Sequence, residues 1–475
     1  MLERLAFIRD EVGRNTARYQ DLSDAIWALA EPVFGEQVSA DLHRNALEHA
    51  GFRISNNIAG IPTAFVAEWG TEGPVIGLLG EYDALANMSQ EGGALAPQPV
   101  SGCDGGNGHG CGHHLLGVAS HAAAVAVARF LEATGRPGRV RFYGCPAEEG
   151  GGGKTFMVRA GVFGDVDAAI SWHPSTRTAT MSTSCLAMIS ASFRFEGRSA
   201  HASSTPHLGR SALDALELMN VGVQFLREHI PSDARIHYAI TDTGGASPNV
   251  VQASAAAAYL VRSGQVDDAL AVYERVTRIA QGAALMTDTT SRADFDTATS
   301  NVIHNSTLGV VMDRNLQAFG GPGFDAEDQV FAAKLADTLV DDAASSRTEG
   351  AGLAMTGPAL SEHVGSYDPD DRAFFAGSTD VGDVSWVVPT VQCWVACYPV
   401  GTVAHSWQWV SAGKTAAAHK GMMLAARTMA ATACELFEEP GALVVAKEEL
   451  KRRRGGRDYC CPIPPEIHPP ACVRS

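Results

Sequence analysis

The chain has 475 residues, of which 45% are hydrophobic and 19% charged, and its formal net charge is −17. A chain of this length is too long for one hydrophobic core, so we expect two or three domains. The acidic excess argues against a general nucleic-acid-binding protein or a protein that binds anionic membranes, because either would present a basic face.

The sequence predicts a cytoplasmic protein that does not cross a membrane. Residues 1–5 lead into a charged amphipathic segment and lack the apolar run of a signal peptide. Ten cysteines are scattered along the chain, which is typical of reduced thiols in a cytoplasmic protein. The most apolar stretch, residues 115–131, is interrupted by His121 and Arg129, and this pattern favours a buried helix over a membrane span.

The first part of the chain alternates helical and strand patterns. Apolar residues at helical spacing predict helices within residues 1–50, and the apolar run at 75–79 predicts a buried strand. A glycine-rich turn precedes a helix predicted over 115–133, and further strands are predicted at 138–144 and 166–170. This alternation is typical of an α/β layer with a mostly parallel sheet, whose sites lie beyond the carboxyl ends of the strands.

From residue 187 the pattern changes. It predicts, in order, a strand at 187–196, a helix at 211–228, strands at 235–241 and 255–261, a helix at 266–284 and a strand at 293–297. The order β-α-β-β-α-β is typical of a ferredoxin-like unit. We therefore expect one domain made of residues 1–186 and 306–475, with residues 187–305 inserted in it.

The last part of the chain returns to helical patterns. They include one more strand at 391–397 and a final helix at 414–438. The basic run 451–454 is expected to be a solvated helix end, and the proline-rich tail from residue 461 to be extended.

The glycine-rich turn at 107–117 contains Cys111 and the histidines His109, His113 and His114. Thiolate and imidazole are the side chains that best bind borderline-soft divalent metals. Taken alone, a Cys-x-His pair is more often an inert thiol beside a structural histidine, and no second pair follows at zinc-finger spacing. The metal hypothesis therefore depends on further donors elsewhere in the chain.

Further donors follow the predicted strands. Asp83 follows the first strand, the pair Glu148 and Glu149 the second, and His173 the third, while His405 comes much later. Each has an ordinary alternative, either exposed acids at a turn or a buried structural histidine. Together they complete a plausible two-metal set with Asp83 as the orienting carboxylate: Cys111, His113, Glu149, His173 and His405.

The two adjacent glutamates can serve different purposes because neighbouring side chains diverge. Glu149 can bind metal while Glu148 takes a proton from an activated water and passes it to the leaving amine. The glycines that follow, with Lys154 and Thr155, resemble part of a phosphate-binding loop. That motif requires a glycine where Glu148 stands, and two carboxylates would repel a phosphate, so we disfavour nucleotide binding.

Several motifs in order resemble the M20 metallopeptidase/amidohydrolase family: Gly-Cys-Gly-His-His, Pro-Ala-Glu-Glu-Gly, Trp-His-Pro and Ser-Ala-His-Ala-Ser-Ser. The branches most similar are the B-type subunit of aminobenzoyl-glutamate hydrolase and the auxin-conjugate amidohydrolases. The resemblance implies a zinc-peptidase-like α/β/α catalytic domain with an inserted ferredoxin-like α+β lid that dimerises. It also implies two divalent metal ions per subunit, Mn²⁺ or Zn²⁺; the thiolate favours zinc, while the carboxylates admit manganese.

The resemblance implies the same five metal ligands, with Glu148 as general base and Asp83 as supporting aspartate. In the lid, His201 resembles the histidine that reaches the partner subunit's active site and stabilises the oxyanion. Asn249 resembles an asparagine near the substrate. Arg210 is proposed as the cation that an acidic leaving amino acid would need.

Two departures from the family pattern stand at the site. Glu81-Tyr82-Asp83 replaces the His-x-Asp of many members, so a first histidine ligand is missing and Cys111 is expected to take over its role. His114 stands where related amidohydrolases have aspartate, and we leave it out of the ligand set.

The predicted function is hydrolysis of the amide bond of a small N-acyl amino acid or aminobenzoyl-glutamate-like conjugate. The alternatives are a dipeptidase or carboxypeptidase of the same family, a non-catalytic partner subunit, and an amidase with Cys111 as nucleophile. The expected partners are a second copy bound through the lid and a companion subunit.

Overall fold

The computed structural model describes residues 1–102, 105–339, 357–371 and 374–470. Its helices are Leu2–Arg14 (α1), Thr16–Leu29 (α2), Gln37–His49 (α3), His113–Thr134 (α4), Gly153–Arg159 (α5), Ala212–Leu226 (α6), Val266–Thr287 (α7), Ser306–Phe319 (α8), Ala326–Ala336 (α9), Val381–Val387 (α10), Trp407–Ala412 (α11), Ala416–Glu438 (α12) and Gly441–Arg453 (α13). Its strands are Arg53–Asn56 (β1), Phe65–Trp69 (β2), Val75–Glu81 (β3), Arg139–Cys145 (β4), Ala168–Ser175 (β5), Ala179–Thr180 (β6), Ser184–Cys185 (β7), Ala187–Glu196 (β8), Arg235–Asp242 (β9), Ser254–Ser263 (β10), Thr290–Thr299 (β11), Phe374–Phe375 (β12) and Thr390–Ala396 (β13).

The larger sheet has seven strands in the order β1-β2-β4-β3-β5-β13-β6. Its four central strands, β4, β3, β5 and β13, are parallel, and antiparallel pairings occur only towards the two edges. The α/β class and the mostly parallel sheet predicted from the sequence are therefore confirmed. The sequence patterns missed β1 and β2, which are short; β1 is mostly exposed and β2 is only partly buried.

The central strand β3 is buried on both faces, as expected for a parallel sheet covered by other elements. Its residues Ile76 and Leu78 join a core that includes α4 and α12. The alternate residues Val75 and Leu79 join a second core, which extends to β8 and the helices α6 and α7. Alternation along one strand thus connects the larger sheet to both cores.

The second sheet contains four antiparallel strands in the order β11-β8-β10-β9. Its elements follow one another as β8-α6-β9-β10-α7-β11, the β-α-β-β-α-β order expected of a ferredoxin-like unit. The roles of this unit as a lid and dimerisation element stay predictions, as do the proposed domain boundaries.

Helix α4 is the one helix, in the part of the chain that the structure describes, that is long and apolar enough to cross a membrane. Of its most apolar 18-residue window, 94% is buried inside the fold, and α4 packs against β3 and α12, so it is a core helix. One detail near the site differs from the sequence prediction. β5 continues to Ser175, so His173 lies within the strand and not beyond its end. The tail is held against the body, because Arg159 donates to the carbonyls of Pro464 and Ile467.

Candidate metal centre

The glycine-rich turn brings Cys111 and His113 to the start of α4, at the carboxyl end of β3. Gly112 between them has a φ of 80°, which favours glycine. A Cβ at this position would also collide with Tyr398 and Pro174. The turn therefore requires glycine there, and this allows two donors one residue apart to point toward the same place.

Asp83 holds two parts of the centre together. Its Oδ1 lies 2.8 Å from His113 Nδ1, and its Oδ2 accepts a hydrogen bond of 2.8 Å from the Glu149 backbone N–H. The contact between Asp83 and His113 Nδ1 orients the ring so that Nε2 faces the cluster. A carboxylate supports a metal-binding histidine in this way.

The five predicted ligands lie together. Cys111 Sγ is 3.3 Å from His173 Nε2, and Glu149 Oε1 is 3.5 Å from His405 Nε2. Two ligands of one tetrahedral ion are roughly 3.3 to 3.8 Å apart when each is about 2.0 to 2.3 Å from the metal. Cys111 forms one compact donor group with His113 and His173 and another with Glu149 and His405.

Two buried atoms of this cluster support a metal-binding interpretation. Within the described part of the chain, neither His113 Nε2 nor Glu149 Oε1 makes a hydrogen bond. Glu81 Oε2 lies 3.3 Å from His113 Nε2 and His405 Nε2 lies 3.5 Å from Glu149 Oε1, which is the spacing of ligands that share an ion, and a cation between such donors would satisfy both atoms. The residues present therefore fit divalent metal ions.

Burial raises the pKa of the Cys111 thiol well above its usual value, and the nearby Glu149 carboxylate adds to this effect. A nucleophilic cysteine needs the opposite environment, one that lowers its pKa. These surroundings do not activate Cys111 as a nucleophile, and as a metal ligand its thiolate would be stabilised by the charge of the bound cation.

Glu148 lies at the edge of the cluster, with its Oε2 3.8 Å from His113 Nε2. Burial raises its pKa well above the usual value, and the carboxylates of Glu81 and Glu149 raise it further. A carboxyl group with a raised pKa suits proton transfer near neutral pH. The preceding Ala147 has a φ of 60°, and its N–H donates to Glu36 Oε1 over 2.9 Å, which fixes the strained turn carrying Glu148.

A cleft of about 510 Å³ opens beside this cluster, within the size range of small-molecule sites. Cys111, Glu148, Glu149, His173 and His405 all contribute to its wall, and Trp394, Phe375, Met181 and Met188 form part of its apolar lining.

Arg262, from β10, is the only Lys or Arg among the described residues that line this cleft. It donates to Ser378 Oγ over 3.1 Å, and within the described ranges no carboxylate contributes to its electrostatic surroundings. Burial lowers its pKa, because the guanidinium is partly removed from water. The sequence patterns did not single out Arg262, since a lone arginine in a strand gives no local signal.

Three predicted residues lie away from the cleft. His201 and Asn249 are exposed and lie close to each other, since the Ala202 N–H donates to the Asn249 carbonyl. Arg210 is occupied by an ion pair of 2.6 Å between its Nε and Asp288 Oδ2. The structure therefore does not bring these residues of one chain to the candidate metal centre, and the arginine that lines the cleft is Arg262.

His114 has a structural environment. It is buried, and its Nε2 donates to the Gly413 carbonyl over 2.9 Å, while the adjacent His109 ring lies 4.8 Å away, centroid to centroid. These contacts direct the His114 ring away from the donor cluster, in line with its exclusion from the ligand set.

The structure also reveals a buried group that the sequence patterns did not indicate. Lys154 Nζ lies 2.6 Å from both Glu81 Oε1 and Asp380 Oδ1, and all three side chains are buried. Lys154 follows the glycine run that resembled a phosphate-binding loop, and its ammonium is paired with carboxylates, which agrees with the rejection of nucleotide binding.

A parallel α/β sheet with a donor cluster beyond its strands, an acid beside the donors and an adjoining cleft defines a metal-dependent hydrolase. The chain belongs to the family described as Peptidase family M20/M25/M40, whose sequence model matches residues 77–408. It is an enzyme that acts on amide bonds. Both the family and the hydrolase class predicted from the motifs are thereby confirmed.

The chain is 49% identical to the B-type subunit of p-aminobenzoyl-glutamate hydrolase of Escherichia coli (strain K12), over 99% of both chains. It is 27% identical to Xaa-Arg dipeptidase of Mus musculus, over 93% of this chain and 91% of that protein. A solved structure of a Bacillus subtilis protein, described as a dinuclear metal-binding peptidase of the M20 family, superposes with a TM-score of 0.54 at 19% identity. It covers 89% of this chain and 99% of the other, and it shows the shared fold.

Proposed function

We propose that the chain hydrolyses the amide bond between an aromatic acyl group and an acidic amino acid, as in aminobenzoyl-glutamate conjugates. The observation that carries this proposal is that the donor cluster, Glu148 and Arg262 line one cleft. Within the described residues, no carboxylate pairs with Arg262. A partly buried guanidinium favours an anionic ligand, because an unpaired buried charge is costly. The apolar lining with Trp394 and Phe375 suits a planar acyl group.

In this proposal Cys111, His113, Glu149, His173 and His405 hold two divalent ions, zinc or manganese. When bound, such ions polarise the scissile carbonyl and lower the pKa of water to about 7. Asp83 orients His113. Glu148 takes the proton of the attacking water and delivers it to the leaving nitrogen. Arg262 binds a carboxylate of the leaving amino acid and aligns the amide with Glu148.

We further infer that the active form is a homodimer through the second sheet unit, in which His201 and Asn249 of one copy serve the cleft of the other. This inference is supported by the exposure of both residues and by the apolar surface of α6, where Val221 and Phe225 are 53% and 74% exposed. His201 then donates a hydrogen bond to the developing oxyanion. The Escherichia coli relative is named as one subunit of a hydrolase, which supports a companion subunit as an additional partner. The free thiols of the described cysteines support a cytoplasmic location.

The test is metal analysis of the purified chain, with turnover of p-aminobenzoyl-glutamate measured before and after chelation. We expect close to two ions per chain, and activity that is lost on chelation and restored by Zn²⁺ or Mn²⁺. Activity that survives chelation and disappears on thiol alkylation would contradict the proposal and favour the Cys111 nucleophile. Metal-loaded protein without turnover of any conjugate would favour a need for the companion subunit.

Substrate choice is tested with Arg262→Met. Hydrogen bonds to charged groups contribute about 1.5 to 3 kcal/mol, so kcat/KM for p-aminobenzoyl-glutamate should fall roughly 10- to 100-fold. A conjugate of neutral alanine amide should be almost unaffected. The matched control is Arg194→Met, on β8 of the same sheet, which removes an arginine paired with Asp294 outside the cleft. A preference of the enzyme for dipeptides ending in arginine, with turnover unchanged in Arg262→Met, would favour the dipeptidase alternative over the proposed substrate class.

A further inference from the structure

The buried group of Lys154, Glu81 and Asp380 contains one cation and two carboxylates beneath the metal centre. The side chains of Lys154 and Asp380 have no exposed surface, and that of Glu81 is 3% exposed. Asp380 accepts from both the ammonium and the backbone N–H of Lys154, the latter over 2.8 Å. Burial alone would lower the pKa of Lys154. The carboxylates of Asp380 and Glu81 instead raise it well above its usual value, so the ammonium stays charged.

The two oxygens of Glu81 face different neighbours. Oε1 contacts the ammonium of Lys154, and Oε2 lies 3.3 Å from His113 Nε2. That nitrogen is the atom of His113 left for a metal, because Asp83 occupies Nδ1. The separation matches the 3.3 Å between Cys111 Sγ and His173 Nε2, whereas Glu148 is farther from the same nitrogen, at 3.8 Å. Glu81 therefore has the spacing of a ligand that shares an ion with His113.

The rest of the group fits such a role. Asp380 precedes α10 but makes no side-chain cap to that helix; its carboxylate is directed to Lys154. Gly152, with a φ of 69°, turns the chain so that Lys154 points inward beneath Glu148 and Glu149. The ammonium thus holds one oxygen of Glu81 and leaves the other directed at His113.

We propose that Glu81 is a further metal ligand of this centre and that Lys154 is the positioning residue that holds its carboxylate beside His113. The inference rests on the proposed metal function and extends it, because Glu81 occupies the position at which the sequence lacks a histidine ligand. Loss of a group that orients a ligand typically lowers metal affinity about 10- to 100-fold.

The decisive experiment measures metal affinity in Lys154→Met, by competition of the ions with a chelator of known affinity. Removing a positive charge beside two cations should strengthen their binding if charge alone matters. A positioning role predicts the reverse, a roughly 10-fold or greater weakening of one of the two ions. Glu81→Gln should weaken the same ion, with the other unchanged, and Lys154→Arg should retain more affinity than Lys154→Met.

The double variant Lys154→Met/Asp380→Asn covers the case in which the single variant fails to fold. It removes one positive and one negative charge, so the local net charge is that of the wild type while the contact to Glu81 is lost. Arg4→Met is the control for loss of a buried cation, since Arg4 pairs with Glu435 and Glu438 away from the centre. Its metal affinity should equal that of the wild type.

Weakened binding of one ion in the double variant supports the proposal, and wild-type affinity there overturns it. Stronger binding in Lys154→Met also overturns it, as does unchanged binding in Glu81→Gln. A wild-type chain that binds no metal at all contradicts the proposed function itself, and the two failures are therefore distinguishable.

Discussion

Candidate site residues lie in two regions, at the carboxyl edge of the seven-stranded sheet and in exposed loops of the four-stranded unit. The two regions differ in whether these residues already contact one another within one chain. At the sheet edge, the donors and Glu148 are already in contact within one chain and are oriented by buried carboxylates such as Asp83. In the second unit, His201 and Asn249 stand in solvent and contact mainly each other's loops. In the proposed dimer, one chain assembles the candidate metal centre and His201 of one copy supplies the oxyanion donor to the other.

The largest expected loss of activity tests the donor cluster and Glu148 at the sheet edge. Glu148→Gln removes the proton acceptor while keeping the shape of the side chain, so kcat should fall about 100- to 10,000-fold. Because Glu148 is not among the proposed ligands, the variant should bind as much metal as the wild type. Turnover near the wild-type rate in a metal-loaded variant would remove Glu148 from the mechanism.

The next largest expected loss of activity tests the exposed loops that carry His201 and Asn249. His201→Ala should lose roughly 100- to 1000-fold in kcat with its metal retained, as expected for a lost oxyanion donor. Coexpression of Glu148→Gln with His201→Ala, followed by isolation of the mixed dimer through two different tags, should restore about half of the wild-type activity, because one of two symmetric sites then has both groups. A mixed dimer as inactive as its parents would show that His201 acts within its own chain or not at all.

The smallest expected effect concerns the stability of the buried core that contains His43. His43 and His121 are buried side by side with their Nδ1 atoms 3.2 Å apart, and burial lowers the pKa of His43 to about 3. The unfolded chain therefore binds more protons than the folded chain below about pH 6.5, and stability should fall as the pH falls. Between about pH 7.5 and pH 5, His43 alone should account for a loss of about 2 kcal/mol.

Chemical denaturation of His43→Leu at both pH values checks this expectation. The loss of stability on acidification should be smaller in the variant than in the wild type, whatever its stability at neutral pH. Equal pH dependence in His43→Leu and the wild type would mean that His43 does not titrate on unfolding.

Much of the fold follows from local pattern. The prediction of α4 over 115–133 is within two residues of the observed His113–Thr134, because a long apolar helix between a glycine turn and Gly135 has clear limits. The β-α-β-β-α-β order of the second unit was likewise predicted from alternation and helical spacing. The short strands β6, β7 and β12 were missed, because two residues carry no periodic signal.

The sequence by itself determined the family, the α/β class and the residue types of the metal centre, because these depend on motifs a few residues long. Only the tertiary structure decided which groups surround them. Lys154 and Asp380 are 226 residues apart in the chain, and Arg262 reaches the cleft from another sheet. Such partners are chosen by topology and by the need to pair every buried charge, and neither condition leaves a trace in the local sequence.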